Sequence, residues 1–177
     1  MGEKEEALEL ETRRKIFAYV SKYPGSHMRK IKRELDLAMG EIEYHLNYLE
    51  EHGLFASQMS GNKKRYYVAN EVQYPDRKIL GILRQKMPRK IILLVMKNEI
   101  ISFGDILKEL DISKSTLSFH LKKLIKSSYL EVRRKGRQKF YSVKDQKRVV
   151  QILITYKSSF VDEAVERFID TWGELKP

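Results

Sequence analysis

Asp111-Ile112-Ser113-Lys114-Ser115-Thr116-Leu117-Ser118-Phe119-His120-Leu121-Lys122-Lys123-Leu124 decides how this chain folds. Ser113 is a good N-cap, because a short hydroxyl side chain can accept from a backbone N–H of the first turn. On a helix from Lys114 to about Ser127, Leu117, Leu121 and Leu124 share one side with His120 on its flank. Ser115, Ser118, Phe119, Lys122 and Lys126 share the other, and the helix holds four lysines and no acid. Upstream, Phe103, Ile106, Leu107 and Leu110 predict a shorter helix over 103–110, with Asp111-Ile112-Ser113 as the turn. The β-branched Ile100 and Ile101 suggest a short strand before it. A first helix runs from about Pro88 to Asn98, its proline pre-organised for the first turn and Ile91, Ile92, Leu94 and Val95 its buried stripe. Downstream, residues 129–134 alternate as a strand, 135–138 turn and 139–143 return.

The whole pattern is written twice, 75 residues apart and without a gap. Arg14-Lys15-Ile16 returns as Arg89-Lys90-Ile91, Glu34-Leu35-Asp36 as Glu109-Leu110-Asp111, and His45-Leu46 as His120-Leu121. Gly61, Lys64, Tyr66 and Val68 return as Gly136, Lys139, Tyr141 and Val143, and 16 of the 59 positions from Arg14 to Val72 are identical. A gap-free register of that length means one supersecondary unit used twice. In the first copy, helices are expected from about Ala7 to Lys22, from His27 to Leu35 and from Met39 to His52. Tyr23-Pro24-Gly25 ends the first of them.

Three helices and a hairpin make a helix-turn-helix with a wing, a pattern suited to reading DNA. Hydroxyls can bond to base edges or phosphates, an aromatic ring can touch a thymine methyl, and lysines neutralise phosphates. The wing tip, Arg133-Arg134-Lys135-Gly136-Arg137-Gln138-Lys139, sets five cations around one glycine. Guarding an edge strand rarely needs that many like charges. Ser113 to Leu124 resembles the recognition helix of arsenical-repressor-type and multiple-antibiotic-resistance-type winged-helix regulators. The chain as a whole is similar to archaeal regulators with two winged-helix domains, the likeness covering both repeats. That resemblance implies a mainly α fold with small β wings, two tandem winged helix-turn-helix domains plus a long C-terminal helical segment, and DNA binding.

The expected domains are 1–73, a first winged helix; 74–87, a helical connector opened by Tyr74-Pro75; 88–144, a second winged helix; and 145–177, a helical tail. The expected DNA contacts are Lys114, Ser115, Thr116, Ser118, Phe119, His120, Lys122 and Lys126 of the helix, and Arg133, Arg134, Lys135, Arg137 and Lys139 of its wing. Lys63, Lys64 and Arg65 of the first wing complete the set. The first copy's third helix departs from this pattern. It carries Glu41, Glu43, Glu50 and Glu51 without a lysine or arginine, turns Gly40, Glu43, Tyr44, Asn47 and Glu51 outward, and has Ala38 where Ser113 caps its counterpart. This copy is expected to be an auxiliary DNA contact or a module that contacts a protein partner, with a fully competent second reader as the alternative.

Composition agrees with a polyanionic partner. The 177 residues carry 35 Lys and Arg against 24 acids, a net +11, with a pI near 9.7. Residues 14–72 hold +3 and 89–147 hold +9, so the second copy is the more basic. The absence of cysteine removes disulfides, redox switching and thiolate metal sites. His27, His45, His52 and His120 form no ligand pair at metal spacing, so no metal or cofactor is expected. A phosphate-binding glycine loop, a nucleophile elbow and paired catalytic carboxylates are all missing, which points away from an enzyme. The apolar runs are too short to span a bilayer, and the acidic start lacks a signal-peptide core or a myristoylation site. The expected location is cytoplasmic.

In the tail, Val149, Ile152, Leu153, Tyr156, Phe160, Ala164, Phe168 and Trp172 recur at three- and four-residue spacing. A continuous helix from Asp145 to Leu175 would be a rod roughly 45 Å long; a break near Ser158-Ser159 is the alternative. Tyr156, Phe160, Phe168 and Trp172 are the expected dimer contacts, against packing onto the tail's own domain. The function this supports is a sequence-specific, dimeric double-stranded-DNA-binding transcription regulator whose second winged helix is the main reader. The competing readings are a winged-helix protein-interaction scaffold of a chromosome-organising complex and a replication-initiator-type DNA binder.

Overall fold

The computed structural model describes residues 10–160 and 162–175, and its internal contacts divide the chain into two compact units that meet between Arg84 and Gln85. In the first unit, α1 (Glu11–Lys22), α2 (Met28–Leu35) and α3 (Met39–Glu51) pack with β1 (Ser26–His27), β2 (Phe55–Ser60) and β3 (Lys63–Val68). The strands form one antiparallel sheet in the order β1-β3-β2. Ile16 and Val20 of α1, Ile31 of α2, and Ile42, Leu46 and Leu49 of α3 are fully enclosed. Each such aliphatic side chain contributes about 1.5–3 kcal/mol by leaving water. The part of the first helix expected before Leu10 lies outside the described residues.

The second unit repeats this plan residue for residue. It contains α5 (Lys86–Asn98), β4 (Ile101–Ser102), α6 (Phe103–Leu110), α7 (Lys114–Lys126), β5 (Leu130–Lys135) and β6 (Gln138–Val143), with sheet order β4-β6-β5. Its core, Ile91, Val95, Ile106, Leu117, Leu121 and Leu124, sits 75 residues after the core of the first. The pairing Phe55↔Val68 recurs as Leu130↔Val143. Asp36 and Asp111, the last residue of the repeated Glu-Leu-Asp, both adopt the left-handed conformation that ends the second helix, one that a short polar side chain tolerates. The strand expected at Ile100-Ile101 is present one residue later. Its counterpart, Ser26-His27, carries no strand signal of its own and exists because it can pair with β3.

Two stretches fold differently from expectation. The segment 74–87, expected as a connector, is divided between the units. Helix α4 (Tyr74–Leu83) packs on β2, with Ile79, Leu80, Gly81, Ile82 and Leu83 all buried. The Tyr67 hydroxyl donates to the Arg77 carbonyl at 2.8 Å and Arg84 Nε to the Pro24 carbonyl at 2.8 Å. A Cβ on Gly81 would come within 3.0 Å of Ser60, so only glycine lets this helix lie so close to the strand. Lys86 and Met87 already belong to α5.

The tail takes the broken form. Helix α8 (Gln146–Thr155) ends in a single 3-10 turn at Lys157–Ser159, where buried Ser159 donates to the Tyr156 carbonyl at 2.6 Å. Serines offer the backbone such local partners in place of helix. Asp162 then accepts from the Ala164 N–H at 3.0 Å and opens α9 (Glu163–Leu175). Its other oxygen takes the Arg89 guanidinium, with Nε at 3.0 Å, tying α9 to α5 of the same unit. No helix among the described residues is long and apolar enough to cross a membrane.

The tail aromatics therefore do not form one free seam. Phe160 is only 5% exposed within its own unit, beneath Arg89, and so cannot be a surface contact between chains. Tyr156 is half-buried at the break, while Phe168 and Trp172 stay half-exposed with ring centroids 5.4 Å apart.

Candidate nucleic-acid interface

Helix α7 is positioned by its leucines. With Leu117, Leu121 and Leu124 buried, the side carrying Lys114, Ser115, Ser118, Phe119, Lys122 and Lys126 faces outward, Phe119 at 64% exposure. Water would not by itself leave a phenylalanine so open, and Tyr44, its counterpart in the first unit, is 57% exposed. Ser113 caps the helix as its sequence implies, accepting from the Thr116 N–H at 3.1 Å. The same hydroxyl lies 2.9 Å from Ser115 Oγ and 2.8 Å from Thr116 Oγ1. Ser115 and Thr116 are thus engaged with the cap, and Ser118 and Lys122 are freer to reach outward.

His120 is not presented with them. Its ring meets Phe119 edge-on at 5.3 Å, and its enclosed Nδ1 has no hydrogen-bond partner among the described residues. The ring is half-buried, and burial, then the Lys123 charge, lower its pKa.

The wing of the second unit is open along its length. Arg133, Arg134, Lys135, Arg137 and Lys139 are all exposed, and none sits in an ion pair among the described residues. Gly136, at φ +60°, makes the two-residue turn between paired Lys135 and Gln138. The register sets Arg134 directly across from Lys139. Like charges opposed across strands destabilise a hairpin, so the tip carries a repulsion that a polyanion would relieve. Between the wing and α7 lies a groove of about 730 Å³, lined among others by Ser118, Lys122, Arg137 and Lys139. Ser102 and Gln138 also line it. Spacing alone does not single them out, since strand pairing brings them there.

The first wing does not match its expected role. Lys63 is exposed, with Nζ 3.5 Å from His27 Nε2. Lys64 is engaged by Glu50 at 2.7 Å, a hydrogen bond that raises its pKa. Arg65 is a correction: it is 3% exposed and donates to the Gly25 carbonyl at 2.7 Å, so it holds the sheet and cannot reach DNA. Its α4-covered position lowers its pKa through burial. A second concavity, about 840 Å³, lies between α5, α6 and α9, with Phe168 and Trp172 in its wall.

His27 predicts the acid limit of stability. Its Nδ1 caps α2, accepting from the Lys30 N–H at 3.3 Å. Burial first, then Lys63, Arg65, Lys30 and Arg33, push its pKa down to about 4 from an ordinary 6.5. Between those values the unfolded chain binds the proton that the folded chain refuses, so stability falls as pH drops through this window. His45 and His120 are lowered too, and add in the same direction. Thermal melts from pH 7 to 4.5 should show the fall. His27→Asn, which keeps a capping acceptor, should flatten it; an unaltered slope would remove His27 as a contributor.

Comparison with known proteins finds a helix-turn-helix match in each unit. Residues 10–80 match the family model described as an N-terminal HTH domain, and residues 89–132 match that of the bacterial regulatory protein arsR family. The chain is 27% identical over 143 residues to an uncharacterised HTH-type transcriptional regulator of Methanocaldococcus jannaschii, an alignment covering 81% of this chain and 36% of that protein. This chain thus spans about a third of the relative's length. Among solved structures, HlyU from Vibrio cholerae aligns with a TM-score of 0.41 at 20% identity, over 47% of this chain and 90% of that one. The transcriptional repressor PagR of Bacillus anthracis gives 0.40 at 26% identity, over 45% and 91%.

Proposed function

We propose that this chain, a tandem winged helix-turn-helix transcriptional regulator, binds double-stranded DNA as a homodimer and reads sequence mainly with its second unit. The observation that carries this is the joint outward face of α7 and the second wing: Ser118, Phe119 and Lys122 on the helix beside five exposed cations on the hairpin that sit in no ion pair among the described residues. In that arrangement the helix reads base edges while Lys114, Lys126 and the wing neutralise phosphates. The first unit, whose α3 exposes Met39 and Tyr44 among glutamates, offers a surface for a protein partner.

The wing is tested by salt. Arg134→Ala with Arg137→Ala should weaken binding to all sequences alike and lower the log–log salt slope by about 0.9 for each phosphate released. A slope unchanged from the parent would take the wing off the DNA.

The dimer is proposed through α9, where half-exposed Phe168 and Trp172 border the open groove, with Phe160 left to its own core. Aromatic side chains at the centre of an interface carry much of its energy. Two chains would bind an inverted repeat with half-sites about 34–36 Å apart, or a multiple. Light scattering should give twice the chain mass at micromolar concentration, and Phe168→Asp with Trp172→Asp should halve it. A parent protein of single-chain mass would overturn the dimer.

A further inference from the structure

The two copies keep the same shape but exchange their charge. In the second unit the basic helix is α7, while α6 carries Asp105, Lys108 and Glu109. In the first unit α3 is acidic, and α2 carries Arg29, Lys30, Lys32 and Arg33 against one acid, Glu34. Ile31 anchors α2 in the core, which leaves Arg29 and Arg33 exposed and Lys30 half-exposed. Lys63, on the wing strand, reaches the same side through its 3.5 Å approach to His27, the cap of α2. Among the described residues Arg29 and Lys63 sit in no ion pair, and Glu34 is held by Arg33 at 2.8 Å.

Like charges crowd this face. Burial, and then Arg84, lower the pKa of Lys30; Glu34 opposes this, while Arg33 and Arg65 add to it. Lys63, Arg65, Lys30 and Arg33 likewise crowd His27.

We infer that the first unit grips duplex DNA by its phosphates through the α2–β3 face, using Arg29, Lys30, Arg33 and Lys63, rather than through its third helix. This rests on the DNA-binding function proposed for the second unit. An acidic protein surface fits the patch less well. Interface cores are apolar and aromatic, whereas the exposed large apolar side chains of this unit among the described residues, Leu10, Met39, Tyr44, Met59 and Tyr74, lie just before α1, on α3, on β2 and at the start of α4, and not on α2 or at Lys63. A continuous line of phosphates asks only for cations at the surface.

The test uses the full chain and a salt series on its preferred duplex and on random DNA. Arg29→Ala, Arg33→Ala and Lys63→Ala together should lower the log–log salt slope by about 0.9 per contact, up to about 2.7, with a loss of at least tenfold in affinity on both DNAs. Lys63→Ala alone, outside any helix, should remove about 0.9 of the slope whatever the triple variant does to folding. Glu43→Gln with Glu51→Gln on α3 should leave affinity within twofold. The second-unit variant Arg134→Ala with Arg137→Ala is the control. If the control lowers the slope and the α2 variants do not, the inference is overturned and the patch belongs to an acidic protein. If neither lowers it, DNA binding itself fails. A severalfold gain from neutralising Glu43 and Glu51 would put α3 against DNA, and would also overturn the inference.

Discussion

Replacing Ser118 and Lys122 together with alanine flattens the preference among DNA sequences while leaving the protein folded. Both side chains are exposed on α7, and both line the groove beside the wing. Among the described residues neither takes part in a cap or an ion pair, unlike Ser115 and Thr116 at the helix start or Glu50 beside the first wing. Each base that goes unread should cost about 1–3 kcal/mol of discrimination, whereas exposed substitutions of this kind shift stability by about 0.5 kcal/mol or less. The ratio of affinities for preferred and random duplex reads the effect, with a thermal melt as the folding control. A double variant that keeps the parent ratio would move sequence reading off this face. Transplanting Glu43, Tyr44 and Asn47 onto the equivalent positions of α7 is the complementary measurement, and should abolish the preference rather than redirect it.

Arg65→Ala has the opposite signature. The guanidinium is enclosed between sheet and α4, where it donates to the Gly25 carbonyl. Loss of a hydrogen bond from a charged donor to a buried acceptor costs about 1.5–3 kcal/mol, and the vacated volume adds to that. Denaturant unfolding should therefore show the first unit destabilised by about 2–4 kcal/mol. DNA affinity per folded molecule, and its salt slope, should not change. Lys63→Ala, two residues away on the same strand, should do the reverse. An Arg65→Ala protein that melts like its parent but loses a unit of salt slope would restore this residue as a DNA contact.

Adjacent cations of one wing thus divide into an exposed residue, Lys63, an ion-paired residue, Lys64, and a structural one, Arg65. Their chemistry in the sequence is nearly the same. What separates them is where neighbouring elements lie. On an open hairpin the side chains alternate between a covered and a wet face, and Arg65 would take the wet one. In β6 of the second unit this holds: the counterpart Phe140 is half-exposed. In β3 both faces are covered from Arg65 to Val68, because α4 lies on the outer one.

The sequence alone determined the repeat, its register and the inner core. Ile16, Val20, Ile31, Ile42, Leu46 and Leu49 stand at helical spacing, and their partners 75 residues on are buried in the same places. Periodicity of apolar residues is a local property, and the doubled pattern reinforces it without knowledge of packing. Ser113 as a cap and the outward face of α7 follow from the same local rules. Tertiary structure decided the rest. The apolar stripe of α4 could have bridged two domains, and only its packing on β2 made it part of the first. The tail aromatics at regular spacing could have lined one rod. Ser159, Asp162 and Arg89, the last 73 residues from its partner in the chain, break the rod and turn Phe160 inward. Contacts between residues so far apart leave no periodic trace, so the sequence could state which side chains seek cover and not what would cover them.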